Sequence, residues 1–287
     1  MVALVCVAAV WGASFVIMKP AISQEPFWDF LATRFTIAAV LMALLRPRIV
    51  RRIRGRMLSR GLLLGFLLAG GYVTQTIALE QTTAAITGFL TGLYVVLTPL
   101  LGWLLLRGTM NGKVIVGSVL ALIGLGFVSI TGFSVEWGQL WGILCAVLFA
   151  LHFIFLGRWS PQLDSYTLTV MQLGVVALVC WIGALPDGYQ PPPSGDVWFA
   201  VVFTAVLATA VAFFVQTWAQ SRIEASRVAV VLTLEVVFSA VFAVLVGQEP
   251  FLWKTFLGGA IIVAAMLVVE WPARKNNVTT SVDPMVH

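Results

Sequence analysis

The sequence predicts an all-α integral membrane protein: ten transmembrane helices in two inverted five-helix repeats. Composition is the first reason. Of 287 residues, 60% are hydrophobic and 10% charged, whereas a soluble domain carries roughly 25% charged residues. The second is charge placement. Apolar runs of about 20 residues, the length that crosses a bilayer, alternate with short loops, and 14 of the 17 Lys and Arg fall on one side of the resulting topology. The third is an echo between the two halves at a shift of about 140 residues.

The first span, 2–22, begins directly in an apolar segment. It lacks a basic n-region and an A-x-A site, so it reads as a membrane helix and not as a cleaved leader. Trp11, Ser14 and Met18 share one of its faces, and Lys19 near its end can snorkel to the interface. The second span, 27–45, holds Arg34 about two turns inside. A pairing with Asp29 or Glu25 is expected to satisfy it; the alternative is that its planar fork binds a carboxylate. Seven arginines from Arg46 to Arg60 follow. They mark that loop, and with it both termini, as cytoplasmic. Only Lys19 and Lys254 fall on the other side, and Arg34 lies within the membrane.

The third span, 60–79, presents Tyr72, Gln75 and Thr76 at helical spacing, beside a small-residue row of Gly61, Gly65 and Ala69 that suits helix packing. The fourth, 83–106, is the most informative. Thr87, Thr91, Tyr94 and Thr98 stand at spacings of four, three and four, which puts four hydroxyls on one side of a helix. Gly88 and Gly92 allow close approach of another helix. Pro99 removes a backbone donor and invites a kink. In lipid, that is tolerated only where protein or a water-filled cavity satisfies the freed carbonyl. The plainer alternative is that each Thr bonds its own helix backbone. The fifth span, 113–131, carries a second small-residue row of Gly117, Ala121 and Gly124.

The sixth span, 138–157, offers Phe149, His152 and Phe153. An imidazole could carry protons, although a packed, satisfied histidine is the commoner case. The seventh and eighth spans cover 165–185 and 197–219, the latter with Thr204, Thr209 and Gln216. Trp181 and Trp218 lie near span ends, as interface anchors do. The ninth, 227–246, contains Glu235 near its middle, an ionisable group that needs a partner or a cavity there. The tenth covers 251–270. The polar stretch 271–287 is expected to be a disordered cytoplasmic tail. The first repeat is thus 1–137 and the second 138–270. Five spans are an odd number, so the second copy enters the membrane upside down, the architecture of many secondary transporters with a midplane site.

The net charge of +5 follows from the one-sided basic loops and not from a nucleic-acid face. Cys6, Cys145 and Cys180 lie in apolar runs without metal-ligand spacing, so neither metal nor cofactor is expected. The candidate substrate-binding residues are Trp11, Ser14, Tyr72, Gln75, Thr76, Thr87, Thr91, Tyr94, Thr98, His152 and Glu235. Aromatic faces and hydroxyls in that mixture suit a small amphipathic solute.

Several segments resemble one family in order along the chain. They are Trp11-Gly12-Ala13-Ser14-Phe15, Arg34-Phe35, Thr83-Ala84-Ala85 through Leu97-Thr98-Pro99-Leu100, Leu234-Glu235-Val236 and Val246-Gly247-Gln248-Glu249. Together they resemble the drug/metabolite transporter superfamily, EamA branch. The resemblance implies ten helices in inverted repeats and export of small metabolites across the bacterial inner membrane. In general character it is nearest to bacterial amino-acid exporters, the aromatic amino-acid exporters among them. Partners would be the solute and the bilayer, with the chain acting as a monomer. Two positions depart from the pattern. Gly108 stands where a glutamate is common, and Val236 stands where the second half usually has proline. A kink is therefore expected in the first half only.

Two other classes compete. An intramembrane enzyme would need more than one histidine within the spans, and the chain has neither H-E-x-x-H nor G-x-S-x-G. A channel would need a selectivity sequence or a repeated charge ring, and neither is present.

Overall fold

The computed structural model describes residues 1–81, 84–107, 111–129, 137–248 and 252–270. Helices make up nearly all of it, and there is no strand among the described residues. Val2–Ile22 (α1), Phe27–Leu45 (α2) and Arg56–Gln81 (α3) are unbroken. Ala84–Gly92 (α4) and Tyr94–Leu106 (α5) are separated by Leu93 alone. Gly112–Ser129 (α6), Trp137–Trp159 (α7) and Ser165–Ala184 (α8) follow. Gly195–Phe203 (α9) runs through a π-helical segment, Thr204–Val211, into Ala212–Gln220 (α10). Ala225–Leu232 (α11) and Leu234–Leu245 (α12) meet at Thr233, and Trp253–Glu270 (α13) ends the fold. Thr82, Thr83, Gly108, Glu249 and the tail 271–287 lie outside the described residues.

Seven helical stretches among the described residues are long and apolar enough to cross a membrane, with shorter apolar helices at Leu90–Leu106, Gly112–Phe127 and Phe256–Val269. The outer surface is apolar, with Leu44, Leu104, Phe199 and Phe256 all more than 60% exposed. Polar side chains are instead turned inward. Arg34, His152, Gln172, Gln216 and Glu235 are all buried. That inversion of the soluble pattern fits hydrocarbon as the solvent.

Helix packing follows small residues. Gly61 and Gly65 of α3 receive Met171 and Val175 of α8, and Gly124 of α6 lies against the Gly258 carbonyl of α13. Both small-residue rows are packing seams. Gly92 faces Leu125, whereas Gly88 has open space around it. The main helix pairs are α1 with α12, α5 with α7, α2 with α8, α3 with α7 and α8, and α6 with α13. The π segment and its flanking helices pack on α1 and α2.

Both prolines inside helices leave a carbonyl without its usual donor, because proline has no N–H to offer residue i−4. Each carbonyl is capped by a side chain from elsewhere. Pro99 frees the Val95 carbonyl, which accepts from Ser118 Oγ of α6 at 3.0 Å. Pro20 frees the Val16 carbonyl, which accepts from Gln248 Nε2 at 3.2 Å, 232 residues away in sequence. The second-half wall also breaks, contrary to the expectation of a single kink. At Leu93 and again at Thr233, 140 positions on, an i→i+3 bond enters the ladder: Val96 N reaches Leu93 O at 3.0 Å, a carbonyl that Leu97 N also reaches at 3.0 Å, and Val236 N reaches Thr233 O at 3.1 Å. Their dihedrals nearly coincide, −57°/−18° and −61°/−14°. Val236 removes the proline but not the break, so proline is not its cause.

Candidate functional site

A cavity of about 70 Å³ lies within the bundle, where both broken helices meet α1, α2, α3, α7 and α10. Trp11, Ser14 and Met18 of α1 line one side. The Trp11 indole donates to the Ala208 carbonyl at 2.7 Å, and Ser14 Oγ donates back to the Trp11 carbonyl at 2.7 Å. The π segment makes the first bond possible. Its wider turn, with Ala212 N–H reaching Leu207 O, turns backbone groups out of the α-helical ladder. Gly12 seats α1 on α12: a Cβ there would lie 2.6 Å from Phe238 Cβ and 2.8 Å from the Glu235 carbonyl oxygen.

Tyr72 and Gln75 of α3 form the next wall. Tyr72 packs edge-on against Phe35, Phe149 and Phe213. Gln75 Nε2 reaches Thr91 Oγ1 at 3.4 Å, and Thr91 lies 3.8 Å from Cys145 Sγ. Tyr94 stacks on Phe153 with centroids 5.2 Å apart, and its hydroxyl faces a Glu235 carboxylate oxygen at 3.5 Å. Glu235 sits in the first turn of α12, directly after the Thr233 break, where the N-terminal end of the helix favours negative charge.

His152 lines the cavity and bonds Gln172 Oε1 through Nε2 at 2.6 Å. The Gln172 amide nitrogen donates to the Leu168 carbonyl at 3.1 Å. Its oxygen therefore faces the ring, and a neutral His152 carries its proton on Nε2.

Of the eleven candidate residues, Trp11, Ser14, Tyr72, Gln75, Thr91, Tyr94, His152 and Glu235 line this one cavity. Thr76, Thr87 and Thr98 stand outside the lining. Thr76 Oγ1 donates to Tyr72 O at 2.8 Å and Thr98 Oγ1 to Tyr94 O at 2.7 Å, each one turn back. Thr98 instead borders a second cleft of about 300 Å³, shared with Trp103, Arg158 and Glu224.

Arg34 also lines the cavity, without the expected carboxylate. Its Nε donates to Thr209 Oγ1 at 2.7 Å and one terminal nitrogen faces Met18 Sδ at 3.2 Å, with Phe35 and Tyr72 rings 5.4 Å from the guanidinium. Asp29 accepts the Gln190 amide, and Glu25 has both carboxylate oxygens buried without a hydrogen bond. The signal was in the sequence, since an intramembrane arginine is by default a functional candidate.

The fold and the cavity define a polytopic membrane protein with a cavity between its helices, lined by aromatic rings and a few buried polar groups. The EamA-like transporter family model matches residues 1–130 and again 136–271, so the chain belongs to that family. It is similar to an uncharacterized transporter of Archaeoglobus fulgidus, at 29% identity over 268 residues, covering 93% of this chain and 84% of the relative. A biotin transporter of Escherichia coli K12 is 22% identical over 124 residues, 42% of this chain and 41% of that one. A solved crystal structure of a protein superposes with a TM-score of 0.79 at 18% identity, covering 93% of this chain and 95% of that one.

Proposed function

We propose that the protein is a secondary exporter of amino acids, including those with aromatic or hydrophobic side chains, working by alternating access in the bacterial inner membrane. The observation that carries the reading is a pair of opposite charges left apart. Arg34 and Glu235 are both buried, both line the same cavity, and neither has an ionic partner among the described residues. A buried unpaired charge is costly. A zwitterion placed between them would neutralise both, with its carboxylate on the Arg34 fork and its ammonium toward Glu235. The rings of Trp11, Tyr72, Phe149 and Phe213 would take an apolar side chain. The cavity is smaller than the roughly 300 Å³ at which ligand pockets begin, so the chamber must widen to load, as an occluded intermediate does.

Ten spans in two inverted repeats supply that motion. The reading is supported by two family matches in succession, by breaks 140 residues apart, and by helix pairs that map onto each other when the halves are exchanged. On this reading α1–α12 corresponds to α7–α5, while α2–α8 and α6–α13 are self-paired. The Arg-rich loop after the second span supports cytoplasmic termini, and on this reading a single chain would hold the whole pathway.

Counterflow in proteoliposomes loaded with unlabelled amino acid tests this. Labelled phenylalanine or leucine should accumulate saturably, and Arg34→Gln should abolish the uptake. The absence of exchange for every amino acid tried would remove the substrate assignment. A second reading, a monocarboxylate without an amine, is favoured by the partial similarity to the biotin transporter. Labelled biotin in the same vesicles decides between them.

A further inference from the structure

We infer that Gln216 and Glu235 together form the ammonium subsite of the cavity, so that a bound solute must present a charged amine toward α10 and α12. The inference rests on the transporter reading and adds a residue and a polarity to it.

The argument starts from a chain of amides. The Phe153 backbone carbonyl can only accept, and Gln220 Nε2 donates to it at 2.8 Å. Gln220 Oε1 is thereby turned toward Gln216 and accepts from Gln216 Nε2 at 3.1 Å. Neither amide can be reversed without setting acceptor against acceptor or donor against donor. The arrangement fixes Gln216 Oε1 as the free end, and that oxygen is buried with no partner in a residue only 1% exposed. Buried polar atoms are almost always hydrogen-bonded, and Gln216 lines the central cavity, so this side chain brings to its wall an acceptor waiting for a donor. Glu235, on the same lining, can only accept when ionised. The two acceptors are linked through one residue: Phe153 orients the glutamine pair by its carbonyl and stacks its ring on Tyr94, whose hydroxyl faces Glu235. The faces of Tyr94 and Phe153 add the electron-rich surface that cations favour. A primary ammonium has three donors and one positive charge, which fits two oxygen acceptors among aromatic rings. The donors of Arg34 then take the anionic end.

Binding and exchange measured on the full-length protein test this, with phenylethylamine, L-phenylalanine and 3-phenylpropionate as probes. Gln216→Leu should weaken phenylethylamine and phenylalanine by about 10- to 100-fold, the range for a lost hydrogen bond to a charged group, and leave 3-phenylpropionate unchanged. Unchanged amine binding in Gln216→Leu overturns the inference, as does a wild-type protein that binds neither amine-bearing probe. Should Gln216→Leu fail to fold, Gln216→Glu decides: in its protonated form one oxygen donates to Gln220 Oε1 in place of Nε2 and the other keeps the acceptor, so phenylethylamine binding should persist at low pH, and its loss there in a folded variant overturns the inference. Phenylalanine exchange with a KM insensitive to Gln216 would sink the subsite and leave the exporter standing. Gln216-dependent phenylethylamine binding without amino-acid exchange would do the reverse.

Discussion

Glu25 lies between α1 and α2, outside the spans, 4% exposed and with both carboxylate oxygens unbonded. Burial, and then the charge of Asp29, push its pKa up to about 7 from an ordinary 4.5. The folded chain therefore holds a proton that the unfolded chain has released between about pH 4.5 and about pH 7. Stability falls as pH rises through that window and stays lower above it. Glu25→Gln should flatten this dependence and raise Tm at pH 8 by on the order of 2–4 °C, the shift expected per kcal/mol in a large domain. A wild-type melting profile that is flat from pH 5 to 8 would refute the assignment. Single residues also mark how far sequence reaches. Arg34 was visible as an intramembrane charge, but its partners were not. Asp29 and Glu25 are near in sequence, whereas Thr209 arrives from 175 residues away by way of a π turn. The hydroxyl stripe divided along a similar line. Thr91 faces the cavity, while Thr98 satisfies its own helix, and spacing alone cannot separate those outcomes.

Elements were the most legible level, because a bilayer demands helices of a set length and the apolar runs supply them. Val2–Ile22, Phe27–Leu45 and Ser165–Ala184 coincide with the predicted spans to within a residue. The π segment had no comparable signal, since Thr204–Val211 reads as an ordinary apolar helix. The Thr233 break is hidden for the opposite reason: proline is the usual marker of a helix break, and neither Leu93 nor Thr233 is one. Proline's structural effect lies instead in the carbonyls it frees. Ser118→Ala should cost about 1 kcal/mol by leaving the Val95 carbonyl unpaired. In a Pro99→Ala background residue 99 regains an N–H, so the same substitution should cost close to nothing. A double-mutant cycle in thermal or SDS unfolding measures this coupling, and strictly additive effects would show that Ser118 does not serve the freed carbonyl.

For the whole molecule, the proposed alternating access makes a demand that no single helix does. The central cavity is too small to load as it stands, and the cleft beside Thr98, Trp103 and Arg158 lies toward the Arg-bearing end. Met18 lies on the other flank of the cavity, toward Lys19 and the loop bearing Glu25. The α1–α12 seam, tightened at Gly12 and tied by Gln248 to the Val16 carbonyl, closes that flank. Alternating access requires the two flanks to open in turn and never together. Single cysteines at Thr98 and at Met18, in a chain with Cys6, Cys145 and Cys180 replaced, report each flank to a membrane-impermeant maleimide. In inside-out vesicles Thr98→Cys should label and Met18→Cys should not; in right-side-out vesicles the order should reverse. Saturating solute, by stabilising the occluded state, should slow both reactions several-fold. A channel predicts the contrary, with both positions labelled from either side and solute blocking them without changing which side reaches which cysteine. Gln248→Ala releases the tie on one flank only, so it should speed Met18→Cys labelling and slow that of Thr98→Cys, since populating one open state depletes the other. Acceleration at both positions would mean that the flanks are not coupled, and the rocking of two halves about a shared site would have to be abandoned.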